Sequence, residues 1–146
     1  MSTIREFQGQ YRFLSNFWRA EVAYEGNIYP TVEHAYQAAK SLDPKFRAKV
    51  LLCETPGRAK RIGKQAILRS NWNREKYSIM HQLVYQKFKN NPDLQKKLLD
   101  TRDDVLQEGN EWGDTYWGID LKTFTGENNL GKILMLVRKE LKERNS

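Results

Sequence analysis

The chain has 146 residues, 39% of them apolar and 12% aromatic, and carries 25 Lys/Arg against 18 Asp/Glu for a net charge of +7. That is enough sequence for one domain, expected over 1–146, with a hydrophobic core that needs neither disulfides nor a structural metal. No run approaches the ~20 apolar residues of a membrane span, and the opening MSTIREFQGQ lacks the apolar core of a signal peptide. A single cysteine, Cys53, fits a reducing compartment, so a soluble cytoplasmic protein is expected. Two histidines and that one cysteine offer no zinc-ligand spacing, and no metal or other cofactor is expected.

The charge is localised. Lys40–Lys76 holds 11 Lys/Arg and 3 Asp/Glu, a balance of +8, which leaves −1 for the remainder. A concentrated basic segment suits a phosphate-bearing ligand or nucleic acid, and equally a solvated cationic surface.

In chain order, the first thirty residues read as strand-like and aromatic. AEVAYEGNIYP alternates around Glu25-Gly26-Asn27 and predicts a hairpin. Thr31 is placed to cap a helix through PTVEHAYQAAK. Asp43-Pro44 starts a second helix, DPKFRAKVLLCE, and Thr55-Pro56 a third, the basic TPGRAKRIGKQA. From Asn73 a longer helix sets Tyr77, Met80, Val84 and Phe88 on one face, and NPDLQKKLLD restarts after Asn91-Pro92. DDVLQEGNEWGDTYWGID loses the helical period and reads as strand and loop. The last helix, entered near Asn128, carries Leu130, Ile133, Leu134, Val137 and Leu141 as an apolar stripe. The sum is an α+β domain, mostly helical, with a small antiparallel sheet near its N-terminus.

Three features carry chemistry. Glu33, Gln37 and Lys40 recur at i, i+4 and i+7, within roughly 60° of arc on the first helix. Ala35, Ala38 and Leu42 lie opposite as a packing face. Periodicity alone favours a solvated polar stripe; a working site is the alternative. Arg58, Lys60, Arg61 and Lys64 cluster near a helix start, where cations and free N–H groups hold phosphate. Asp114 stands between Trp112 and Trp117 in a non-periodic stretch, where rings can stack a base or sugar while the acid handles protons. GENNLGKI has P-loop spacing, but Ile133 occupies the position of the magnesium-binding hydroxyl, and a nucleoside triphosphatase is rejected.

FLSNFW (Phe13–Trp18), PTVEHAYQAAK, RAKRIG, Asn71-Trp72, DTYWG (Asp114–Gly118) and NNLGKILMLVR (Asn128–Arg138), in that order, resemble the YbiA-like, or NADAR, family over Phe7–Leu141. The resemblance implies a compact, mainly helical N-glycosidase. Such enzymes cleave the C–N bond between a phosphorylated ribose and an aminopyrimidine, an early riboflavin-pathway intermediate. Others remove ADP-ribose from guanine in nucleic acid, and a non-catalytic ADP-ribose-binding module is a third reading. The resemblance places Glu33, Trp72 and Asp114 at the family's principal active-site positions and its motif lysine on Lys40; Lys60 is a looser match.

The residue types suit that chemistry. A ribosylamine opens to an imine once its ring oxygen is protonated, and an amine with a lowered pKa can then exchange with the base. The expected roles are Glu33 as proton shuttle, Lys40 as nucleophile or sugar ligand, and Asp114 as second acid. Trp72 would orient the base, and Trp117 and Gln37 would contact substrate. Arg61 with Lys60, and Asn16 and Asn128 in their motifs, would hold ribose and phosphate.

Overall fold

The computed structural model describes residues 2–146. Contacts divide the chain into two compact units, Asn16–Lys87 and the remainder, in which residues up to Ser15 join Phe88–Ser146.

The unit Asn16–Lys87 is built around one short helix. Strands β1 (Thr3–Ile4), β2 (Val22–Tyr24) and β3 (Asn27–Tyr29) come first along the chain, and β2 and β3 form the expected antiparallel hairpin in this unit. Its two turn residues, Glu25 and Gly26, both have positive φ (44° and 92°), the turn whose twist matches the flanking strands. Helices α1 (Val32–Ala39), α2 (Pro44–Leu51), α3 (Pro56–Gly63) and α4 (Trp72–Lys89) follow. Three predicted caps are formed: Thr31, Asp43 and Thr55 accept from the N–H groups of His34, Lys45 and Arg58 at 3.1, 2.9 and 3.1 Å.

Helices α2 and α3 and both hairpin strands pack on α1, and all eight of its residues are buried. His34 is accommodated there as a neutral ring. Its Nε2–H donates to the Cys53 carbonyl at 2.9 Å, so Nδ1 accepts from the Thr31 hydroxyl at 2.8 Å. Burial lowers its pKa accordingly. Arg47 of α2 ties this layer to the hairpin: it donates to the Ser41 carbonyl and the Glu25 carboxylate, both at 2.8 Å, and its guanidinium lies 5.3 Å from the Tyr24 ring centroid.

In the second unit, β1 pairs with β4 (Val105–Leu106) and β5 (Gly109–Asn110) with β6 (Ile119–Asp120). Both pairs are parallel, so the antiparallel reading holds for the hairpin alone. Helix α5 (Pro92–Leu99) packs on α6 (Asn129–Arg144), whose five predicted apolar positions are all buried. Residues 9–14, expected to be strand-like, form a 3-10 helix instead. Phe13 and Leu14 are adjacent and both buried, an arrangement strand alternation cannot provide. Tyr77 of α4 is half-buried, while Met80, Val84 and Phe88 are core. No helix among the described residues is long and apolar enough to cross a membrane.

Lys87 is wholly buried, and burial lowers its pKa from 10.5 to about 7. Between those values the unfolded chain binds the extra proton, so stability gains from rising pH across that window. Lys87→Met removes this dependence. Its Tm advantage over the wild type should be largest near pH 7 and shrink as pH rises toward 10.5. A constant difference would contradict the assignment.

Candidate active site

The polar line of α1 is not a solvated face. Glu33 is 8% exposed and Gln37 4%. Gln37 Nε2 donates to Glu33 Oε2 at 2.5 Å, which fixes the orientation of the amide, since the reverse would set two oxygens together. Gln37 Oε1 is buried and meets no hydrogen-bond donor among the described residues. The two side chains stand one helical turn apart, so the carboxylate and the amide orient each other.

The room for that amide comes from α3. A Cβ on Gly63 would occupy the space of the Gln37 amide oxygen, so only glycine lets the two helices approach there. At the other end, the Glu33 N–H donates to the Asn16 carbonyl at 3.1 Å, which links the FLSNFW segment to the first turn of α1. There the positive end of the helix favours a carboxylate. The Asn16 side chain is buried and donates to Met80 Sδ at 3.4 Å.

Lys40 closes α1 as its C-cap, and Leu42 lies beyond it, 63% exposed rather than on a packing face. The helix ends at Ala39, and the Ser41 hydroxyl accepts from the Asp43 N–H at 3.0 Å to turn the chain away. The Lys40 ammonium lies 5.7 Å from the Tyr36 ring centroid, and that ring is 5.3 Å from the ring of Trp72. Burial pushes the Lys40 amine below the ordinary lysine value. The Glu33 carboxylate draws it back up, and Lys60, Lys76 and Lys64 push it down. Two elements therefore bring cations toward the amine at the end of α1: α3 with its C-cap Lys64, and α4. Lys60 is half-buried and among them, whereas Arg61 is exposed.

Trp72 is 5% exposed. It opens α4 because Asn71 takes a left-handed conformation, φ 62°, which asparagine tolerates better than most residues. A recess of about 370 Å³ beside it is lined by Leu68, Arg69, Asn71, Trp72, Asn73 and Arg74.

Three expected site residues belong to the second unit. The half-buried Asp114 organises its loop: Oδ1 accepts from the N–H groups of Tyr116 and Trp117 at 3.1 and 2.9 Å. Trp117, half-buried, meets Tyr116 edge to face at 4.7 Å, while Trp112 is exposed. Asn128 stands at the N-cap of α6, as expected, but does not cap it through its side chain. Its φ of 53° turns that side chain to accept from the Glu108 N–H at 3.0 Å and donate to the Leu106 carbonyl at 2.9 Å. Among the described residues no group of three His, Cys, Asp or Glu side chains gathers as metal ligands would.

Sequence reasoning missed Tyr36, Lys76 and Arg69. Tyr36 precedes Lys40 by one helical turn, a signal spacing could have given. Arg69 lies in an aperiodic loop and gives none.

The NADAR domain model matches residues 4–142. N-glycosidase YbiA of Shigella flexneri is 37% identical over 133 residues, covering 90% of this chain and 82% of that protein. A riboflavin biosynthesis protein of Vibrio vulnificus is 38% identical over 133 residues; these are 90% of this chain but only 36% of the longer relative. The NMR structure of Escherichia coli YbiA superposes with a TM-score of 0.88 at 32% identity, over 99% of this chain and 87% of that one.

Gly63→Ala should force the Gln37 amide away from Glu33, destabilise the protein by about 1–3 kcal/mol and lower turnover at least tenfold. Adding Gln37→Ala frees the space, so Tm should recover while turnover does not. Recovery of both would show that Gln37 only fills volume.

Proposed function

The chain belongs to the NADAR family and is a hydrolase of N-glycosyl bonds; from that premise we propose that it cleaves the bond between a phosphorylated ribose and an aminopyrimidine, releasing ribose 5-phosphate. The observation that carries this reading is the line Glu33–Gln37–Lys40: a buried carboxylate oriented by a buried amide, one helix face from an amine whose pKa is lowered. The names of two relatives, an N-glycosidase and a riboflavin biosynthesis protein, support the substrate class.

In the proposed reaction Glu33 protonates the ribose ring oxygen, and the ring opens to an imine between C1 and the nitrogen of the pyrimidine amine. The neutral Lys40 amine adds to C1. A proton passes to the pyrimidine nitrogen, which leaves with its bonding pair as the free aminopyrimidine. The Schiff base on Lys40 is then hydrolysed by water, giving ribose 5-phosphate and the free amine. A lysine with a lowered pKa supplies more of the neutral form near pH 7. Lys60, Lys64 and Lys76 serve twice, since cations that depress Lys40 also attract the 5′-phosphate. Trp72, against Tyr36, orients the base. Asp114 spends Oδ1 on two backbone N–H groups, so Oδ2 is the oxygen proposed to carry a proton as the second acid. Trp117 and Asn128 shape the same loop region of their own unit.

The exposed Arg61 of the basic segment supports a second reading, removal of ADP-ribose from guanine in nucleic acid, because the same ribose C1–N chemistry serves it. Mass spectrometry with both substrates decides. Ribose 5-phosphate should appear from the phosphoribosylamino-pyrimidine, and no ADP-ribose from a DNA oligonucleotide carrying ADP-ribosylated guanine. Release of ADP-ribose alone would overturn the metabolite assignment; tight ADP-ribose binding with cleavage of neither would favour a binding module. Glu33→Gln should fold and lose about 10²–10⁴-fold in kcat, the usual range for a general acid. For the wild type, kcat should rise with pH along a limb below the ordinary lysine value of 10.5, because the neutral amine is the reactive form.

A further inference from the structure

Helix α1 ends without the residue that usually closes a helix. Its Gln37 and Ala38 carbonyls accept from the Lys40 and Ser41 N–H groups, both at 3.3 Å, and the common remedy for the carbonyls beyond them is a glycine or asparagine just past the end. Here Ser41-Leu42-Asp43 follows Lys40. The remedy comes instead from the loop between α3 and α4. The Arg69 N–H donates to the Lys40 carbonyl at 2.7 Å, and the Arg69 guanidinium donates to the Tyr24 hydroxyl at 3.0 Å and reaches the Ala39 carbonyl at 3.5 Å. Tyr24 is a firm anchor: it is buried in the hairpin, and the Arg47 guanidinium lies over its ring.

These contacts close a circuit. Arg69 holds the Lys40 main chain, the Lys40 ammonium lies over Tyr36, Tyr36 packs on Trp72, and the Trp72 N–H returns to the Arg69 carbonyl at 3.3 Å. The circuit leaves Lys40 fixed at both ends of its side chain.

We propose that Arg69 is a positioning residue for the Lys40 amine, acting as a cap in trans that sets where the end of α1 and its lysine sit. The inference rests on the reading of Lys40 as the reacting amine. Arg69 touches no reacting atom. Both bonds leave a single guanidinium nitrogen, Nη1, which lies one bond farther from the backbone than a lysine ammonium, so lysine keeps the charge but not the reach. The charged groups acting on Lys40 are Glu33, Lys60, Lys64 and Lys76, so displacement of the α1 end alters both its reach and its titration.

The test is Arg69→Met and Arg69→Lys, measured for kcat and KM of ribose 5-phosphate release and for the titration of Lys40. The latter is read by NMR of the ¹³C-methylated protein and assigned with Lys40→Arg. In Arg69→Met, kcat should fall about tenfold to a hundredfold, the cost of a misplaced group, with KM within about twofold. The Lys40 pKa should move up toward 10.5. Arg69→Lys keeps the charge and should recover little of kcat. An unmoved Lys40 titration in Arg69→Met overturns the proposal whatever happens to kcat, and wild-type kcat in Arg69→Lys overturns the geometric part. Should Arg69→Met fail to fold, Tyr24→Phe removes a single hydrogen bond, and the same upward shift in smaller measure is expected; none would overturn it. Wild-type turnover in Lys40→Met would sink the reaction proposed for Lys40, while the Lys40 titration in Arg69→Met still decides the positioning.

Discussion

Helix α1 is enclosed by α2, α3 and both strands of the hairpin, and these elements of its unit pack around it. A helix so placed is expected to be apolar all round, yet this one carries a carboxylate, an imidazole and an amide inside. The imidazole is satisfied as a neutral ring between Thr31 and Cys53. The carboxylate and amide satisfy each other only in part, since one amide oxygen stays unmet. Their burial is costly as structure and sensible as chemistry. In a shielded site a proton donor keeps its orientation, and an amine near it keeps a lowered pKa.

The positive charge of the chain acquires a position from this arrangement. The excess lies wholly within Lys40–Lys76, and that segment supplies Lys60, Lys64 and Lys76 to the surroundings of Lys40. In the proposed reaction one cluster of cations does two jobs: it favours the neutral amine, and it attracts the proposed phosphorylated substrate. The two effects would rise and fall together, since weakening the cluster raises the amine pKa and lowers the attraction for an anion.

Much of the fold was legible because local chemistry decided it. Thr31, Asp43 and Thr55 cap the helices they precede, Glu25-Gly26 makes the hairpin turn, and the α6 stripe is the core stripe. The misreadings arose where tertiary contacts outweighed local preference. Aromatic, β-prone residues near Phe13 form a 3-10 helix because both Phe13 and Leu14 turn inward. Asn128 gives its side chain to Glu108 and Leu106 rather than to its own helix. The polar stripe of α1 showed its spacing plainly, but not its surroundings: whether Glu33 and Gln37 meet water depends on α2, α3 and the hairpin. Gly63 gave no signal in the sequence, because the space it leaves for Gln37 exists only where α3 packs on α1. Arg69 was invisible because its partners, Lys40 and Tyr24, are distant in sequence.

Lys40, desolvated beside Glu33, is proposed to be the amine that takes the sugar. Reduction with borohydride during turnover on the phosphoribosylamino-pyrimidine, followed by peptide mass spectrometry, tests it directly. A reduced pentose phosphate attached to Lys40 is expected in the wild type, and no such adduct without substrate. Full turnover with no adduct on Lys40, or an adduct on another lysine, would contradict it.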